Sequence, residues 1–192
     1  MRRYAILLGI GIILWPTIGQ PAAAASFTLE ERERQDAIVA GRRSVVSEEF
    51  GAEWRARNAS GETLTVMTPF HRLALAARNA AFKGEELKPK EIDSAIKETG
   101  GKLTVWVTLK GGAPEFARFY APVLLDGKAE IKPTFVQNER TALRTEDGGY
   151  AARCLYVFPA DALGGKSRFT LVVRTPEAKE VSTFTVDLSA MR

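Results

Sequence analysis

Lys102-Leu103-Thr104-Val105-Trp106-Val107-Thr108-Leu109 is the stretch whose reading decides the fold. Leucine and valine take every second position, while lysine, threonine and tryptophan take the others. In an extended chain successive side chains point to opposite faces. The segment therefore has one apolar face and one polar face interrupted by Trp106, as expected of a half-buried strand in an antiparallel sheet.

The chain downstream repeats the pattern. Phe116–Leu125, Ala129–Val136, Tyr150–Phe158, Arg168–Arg174 and Val181–Leu188 are runs of strand length. They are separated by Gly111-Gly112-Ala113-Pro114, Asp126-Gly127, Asp147-Gly148-Gly149, Gly164-Gly165 and Thr175-Pro176-Glu177. Asp126-Gly127 is the strongest hairpin element, because both residues tolerate the positive φ of a two-residue turn. Upstream, Ala52–Arg57 and Glu62–Thr68 flank Asn58-Ala59-Ser60-Gly61 and form a second expected hairpin, which Pro69 closes. Tyr150 and Cys154, after the Asp-Gly-Gly turn, resemble an immunoglobulin F strand. The tyrosine of that strand lies two residues before its cysteine, whereas here the two are further apart and no second cysteine exists. The resemblance supports a sandwich and not membership of the family. The expected fold is mainly β with helices (α+β): an antiparallel immunoglobulin-like β-sandwich of about seven or eight strands.

Helices account for the rest. Residues 28–43 read as an N-terminal helix, with Thr28 and Glu31 at capping-box spacing, acidic residues at its start and Arg42-Arg43 at its end. A helical insertion spans 71–98. It comprises the alanine-dense His71–Phe82 and a second helix that begins near Pro89 and ends at Gly100-Gly101. Short alanine-rich helices need tertiary support, so both are expected to lie on the sheet and to cover Trp106.

Residues 1–25 carry an address. Arg2-Arg3, an apolar run from Tyr4 to Trp15 and the small residues Ala22–Ala25 read as a secretory signal peptide cleaved after Ala25. The run is shorter than the roughly 20 residues a bilayer span needs, so no membrane span is expected once it is removed. Residues 26–192 then form a single domain of 192 − 25 = 167 residues, enough to fold around its own core. Loss of Arg2 and Arg3 lowers the excess of basic residues from 27 against 23 to 25 against 23. Near-balance with charges interspersed along the chain, together with export, argues against a nucleic-acid partner. Cys154 is the only cysteine, so no internal disulfide can form.

No catalytic motif survives inspection. His71 is the sole histidine and has no companion with which to build a zinc site or a triad by spacing. It lies at a strand-to-helix junction, where a helix N-terminus could hold an anion, but reads more simply as a capping or surface residue. Cys154 shares a strand face with Ala152, Tyr156 and Phe158, the pattern of a core-facing row. Gly164-Gly165-Lys166-Ser167 lacks the upstream glycine of a phosphate loop and is followed by a strand, so it reads as a turn. Glu48-Glu49 and Glu85-Glu86 read as solvated pairs. Asn58-Ala59-Ser60 matches a glycosylation acceptor only by a short, common pattern.

The expectation is an exported, periplasmic or secreted, non-enzymatic binding, adhesion or envelope-assembly module. Its partner would be a protein or envelope component, with no cofactor or metal. Candidate binding residues are Phe70, His71, Arg72, Trp106, Phe119 and Tyr120. Two rivals stand beside it. One is an exported hydrolase using His71 or carboxylates. The other is a lipid or small-ligand carrier with a cavity lined by Leu73, Ala77, Ile92 and Val105.

Overall fold

A computed structural model describes residues 27–161, 163 and 168–192. The expected signal peptide and the Gly164-Gly165-Lys166-Ser167 turn lie outside the described residues. Helix α1 spans Glu31–Arg43. A 3-10 turn at Ala52–Trp54 leads into β1 (Arg55–Arg57), and β2 follows at Thr63–Met67. Helices α2 (Pro69–Phe82) and α3 (Pro89–Thr99) interrupt the strands. The remainder runs through β3 (Lys102–Gly111), β4 (Ala121–Asp126), β5 (Ala129–Ile131), β6 (Phe135–Asn138), β7 (Leu143–Arg144), β8 (Tyr150–Pro159), β9 (Arg168–Arg174) and β10 (Glu180–Asp187).

Two antiparallel sheets result. The larger has the order β1-β2-β3-β8-β6, with β7 also paired to β8, and the smaller has the order β10-β9-β4-β5. The chain passes between sheets after β3, after β5 and after β8. Inner-face residues of both sheets, among them Leu64, Val105, Val107, Tyr156, Phe158, Leu124, Leu171, Val173 and Phe184, form one buried cluster. The architecture is the expected immunoglobulin-like antiparallel β-sandwich.

The alternation read from β3 is what builds that core. Leu103, Val105, Val107 and Leu109 are all buried, and so is the facing row of Ala152, Cys154, Tyr156 and Phe158 on β8. Fully burying an aliphatic or aromatic side chain of this kind stabilises by about 1.5–3 kcal/mol. A hairpin forms at the expected place, but Asp126 pairs with Ala129, so its two turn residues are Gly127, at φ +59°, and Lys128.

Several element boundaries differ from expectation. Residues 113–120 are successive turns, closed by the amides of Phe116, Arg118 and Tyr120 on Ala113, Glu115 and Ala117. That leaves only Ala121 onward for β4. Ala129–Val136 is not one strand but two, β5 in the smaller sheet and β6 in the larger. Pro133 sits at the crossing, where a residue without an N–H removes nothing from a ladder. Helix α1 starts at Glu31, and the Glu33 carboxylate accepts the Glu30 N–H at 2.8 Å, so the capping pair lies two residues beyond the Thr28/Glu31 pair.

Helix α2 begins at Pro69, two residues before the expected start at His71. Thr68 Oγ1 accepts the His71 N–H at 3.0 Å, and Pro69 fills the first turn. Phe70, Leu73 and Ala74 join the same buried cluster as Val66 and Leu103 on the inner side of β2 and β3. The helices thus extend the buried side of the larger sheet. Its outer side is left without a covering layer among the described residues.

Candidate functional site

Outward positions on the larger sheet follow from register. Arg55, Thr65, Trp106, Leu155 and Gln137 lie in one row across β1, β2, β3, β8 and β6. Met67, Thr104, Val157 and Phe135 form the row on one side of it. Arg57, Thr63, Thr108 and Arg153 form the row on the other side. Beyond lie Lys110, Ala151 and Leu143.

Three large apolar side chains on this face are open to solvent: Trp106 is 43%, Phe135 49% and Leu143 64% exposed. This corrects the expectation that helices bury Trp106. The helices pack on the opposite side of β2 and β3, because α2 carries its own apolar residues into the inner cluster. Each stands in a different row of the face.

Charge on the face is one-sided. Arg55, Arg57, Lys102, Lys110 and Arg153 point outward from β1, β3 and β8, and no outward strand position of this sheet holds Asp or Glu. None of the five makes an ion pair or side-chain hydrogen bond with the described residues. The Glu139 carboxylate at the β6 end is taken up by the Arg153 N–H at 2.6 Å. Asp147 lies near Lys110 in the β7–β8 turn, held below the usual carboxylate range by hydrogen bonds from Thr145 and the Gly149 backbone.

The other sequence candidates do not converge on this face. Phe70 is buried in the core, and Arg72 joins α2 to α3 through Glu98 at 2.9 Å. Phe119 is 68% exposed beneath the Arg118 guanidinium, 5.1 Å from its ring centre. Tyr120 is half-buried and lines a cleft of about 470 Å³ between β4–β5 and β6, with Pro122, Val136 and Arg174. Its phenol is raised above its ordinary range, chiefly by burial and then by the Glu62 charge.

His71 is neither a surface residue nor a free cap. Its ring stacks on Trp54 at 4.1 Å and an interplanar angle of 5°, and Phe50 meets it edge-on at 5.9 Å. Its Nδ1 lies 2.9 Å from the Val66 carbonyl, which makes Nδ1–H the donor. Burial holds the imidazole below its ordinary value of 6.5, outweighing the opposing Val66 contact. A depressed histidine pKa stabilises the fold fully above about 6.5 and withdraws that stability as pH falls through the folded value. His71→Asn, which keeps a donor for Val66, is expected to cost about 2 kcal/mol at pH 7.5 through the lost stack. That gap to wild type should narrow at pH 5 in paired thermal melts. A gap that stays constant or widens would contradict the neutral, buried ring.

Cys154 is buried as well. Burial raises the Cys154 thiol above its ordinary range, which makes it a poor nucleophile. The two Glu-Glu pairs are exposed as expected. Of the residues expected to line a carrier cavity, Leu73 and Val105 are packed into the interior, Ile92 packs against the core, and Ala77 borders a small cleft of about 130 Å³ with Ile38, Arg42 and Leu87.

Sequence reasoning names Trp106 but passes over Phe135, Leu143 and the five cations. Their signature is the same alternation: on β3 and β8 each cation occupies the polar-face position. It is easily missed because counting charges along the chain mixes the two faces.

No protein-family model matches the chain, and no curated protein matches it either. Among solved structures it is similar to IgNAR antibody domain C1, at 11% identity and TM-score 0.31, over 45% of this chain and 76% of that one. It is likewise similar to IgNAR antibody domain C3, at 15% identity and TM-score 0.32, over 52% of this chain and 86% of that one. At these scores neither likeness bears on function.

Proposed function

We propose that this chain is an exported, non-enzymatic binding module of the cell envelope, working through the outer face of its larger sheet. One observation carries the reading: Trp106, Phe135 and Leu143 stand exposed on a sheet face that no described helix covers. Tryptophan and arginine supply a disproportionate share of binding energy at interfaces, and this face carries Trp106 together with Arg55, Arg57 and Arg153. The non-enzymatic part is supported by His71 and Cys154 being committed to the core. Export is supported by the charged, apolar and small-residue order of residues 1–25.

A photo-cross-linking residue placed at Thr108 in the cell of origin tests the face whatever its ligand. Cross-linking is expected from Thr108, to be lost in Trp106→Ala, and to be absent from Ala178 in the β9–β10 turn. The adduct should be recovered outside the cytoplasm, with Ser26 at its N-terminus. Equal cross-linking from Thr108 and Ala178, or none from Thr108, would overturn the assignment.

A further inference from the structure

The ligand class follows from how the face distributes its apolar and charged groups. A protein hot spot gathers its aromatic anchors into one desolvated pocket, surrounded by contacts that exclude water. Here the three exposed apolar side chains are spread out. With strands about 4.8 Å apart and about 3.4 Å per residue, Trp106 and Phe135 stand roughly 12 Å apart, and Leu143 lies further along the sheet. They sit on β3, β6 and β7 of a single sheet surface.

The cations surround rather than join this set. Arg55 lies in the Trp106 row two strands away, Arg153 is one strand across and one row along, and Lys102 and Lys110 are on β3 itself. Two of the five are lysines, compact charges without the planar fork suited to a carboxylate pair. No outward carboxylate repels an anion anywhere among these strand positions. Separated apolar side chains ringed by unpaired Lys and Arg match an anionic lipid surface. Indole and aliphatic groups enter the headgroup boundary there, while cations stay level with the phosphates.

We infer that the outer face of the larger sheet docks on an anionic phospholipid bilayer, inserting Trp106, Phe135 and Leu143. Lys102, Lys110, Arg55, Arg57 and Arg153 would meet the headgroup phosphates. This rests on the binding-module reading and adds the identity of the surface bound.

The test uses the mature protein and vesicles of phosphatidylglycerol and phosphatidylcholine at roughly 30:70, against vesicles of phosphatidylcholine alone, an anionic content that supports electrostatic adsorption. Co-sedimentation should favour the anionic vesicles at least about tenfold and fall steeply as added salt shortens the screening length. Trp106 emission should shift to the blue on binding. That shift should vanish in Trp106→Phe, because Trp54 is already buried with its indole N–H on the Arg192 carbonyl oxygen at 2.6 Å. The Arg57→Glu/Arg153→Glu pair, at exposed positions, should lose about tenfold in vesicle binding with an unchanged melting temperature. Inorganic phosphate at millimolar levels should not compete.

Equal binding to neutral vesicles, competition by free phosphate, or unchanged binding in the charge-reversed pair would each overturn the inference. So would tighter binding of polyglutamate, polygalacturonate or single-stranded DNA, which would assign the face to an acidic polymer. Thr108 cross-linking in cells without vesicle binding would refute the lipid assignment and leave the binding module intact. Loss of both would refute the two together.

Discussion

Glu62→Ala is expected to destabilise the protein by about 4 kcal/mol, since it strands one buried and two part-buried donors at the junction of the two sheets. Glu62 is buried at the start of β2. Its Oε1 accepts the Lys110 N–H of β3 at 2.9 Å, and its Oε2 accepts from Asn58 Nδ2 at 2.6 Å and from the Ser182 hydroxyl of β10. The Asn58 side chain returns an acceptor to the Glu62 N–H at 3.0 Å and reaches Ser182 at 3.1 Å. One carboxylate thus ties the β1–β2 turn, the end of β3 and the opposite sheet.

Hydrogen bonds to a charged group contribute about 1.5–3 kcal/mol each, and a buried donor left unpaired costs about 1–3 kcal/mol. Ser182 and Asn58 can still bond each other after the substitution, so the sum is smaller than three full losses. For a domain of this size about 4 kcal/mol lowers the melting temperature by roughly 10 °C. Glu62→Gln should cost about half as much, because its amide oxygen still serves Lys110 while its NH₂ opposes that of Asn58. A loss below about 1 kcal/mol for Glu62→Ala in urea unfolding would show that the junction rearranges or hydrates freely.

Gly41→Ala should cost about 3 kcal/mol despite placing a better helix former in α1. A Cβ at position 41 would stand 2.9 Å from both the Ala74 carbonyl carbon and Ala77 Cβ, and closer still to the Ala74 carbonyl oxygen. Ala74 and Ala77 are themselves buried, so α1 and α2 meet through their smallest side chains. Alanine gains about 1 kcal/mol of helix propensity over glycine. Overpacking that forces two helices apart costs more, because the obstacle is main chain and cannot rotate away. The double variant Gly41→Ala/Ala77→Gly should recover little, since it clears only the Cβ contact. Equilibrium unfolding of Gly41→Ala within about 0.5 kcal/mol of wild type would mean that the helices slide past each other without cost.

Both predictions turn on features that sequence patterns register poorly. Glu62 follows a turn and opens a strand, where a polar residue is ordinarily solvated. Nothing local shows that Ser182, far along the chain, approaches it. Gly41 looks like a tolerated glycine near a helix end. The alanines of α2 announce a close-packing face, but not which residue they pack against.

The candidate site is legible by halves. Trp106 stands out because it breaks a row of threonines, and the strand period fixes its face. Whether that face is open reads the wrong way from sequence, since the two helices offer a plausible cover. Phe70 and His71 stand out for their place at a helix start, which is also where α2 drives into the core.

By itself, the sequence determined what a backbone period determines: which residues of β3 and β8 point inward, that the chain reverses near Asp126-Gly127, where α3 begins, and that Cys154 lies in the interior. These are consequences of side-chain direction and allowed φ, both properties of a few neighbouring residues. Tertiary structure alone decided which side of the larger sheet the helices cover, that residues 129–138 divide between two sheets, and that five scattered cations share one face. Those outcomes depend on how distant segments compete for the same apolar surface, and no local period encodes the winner.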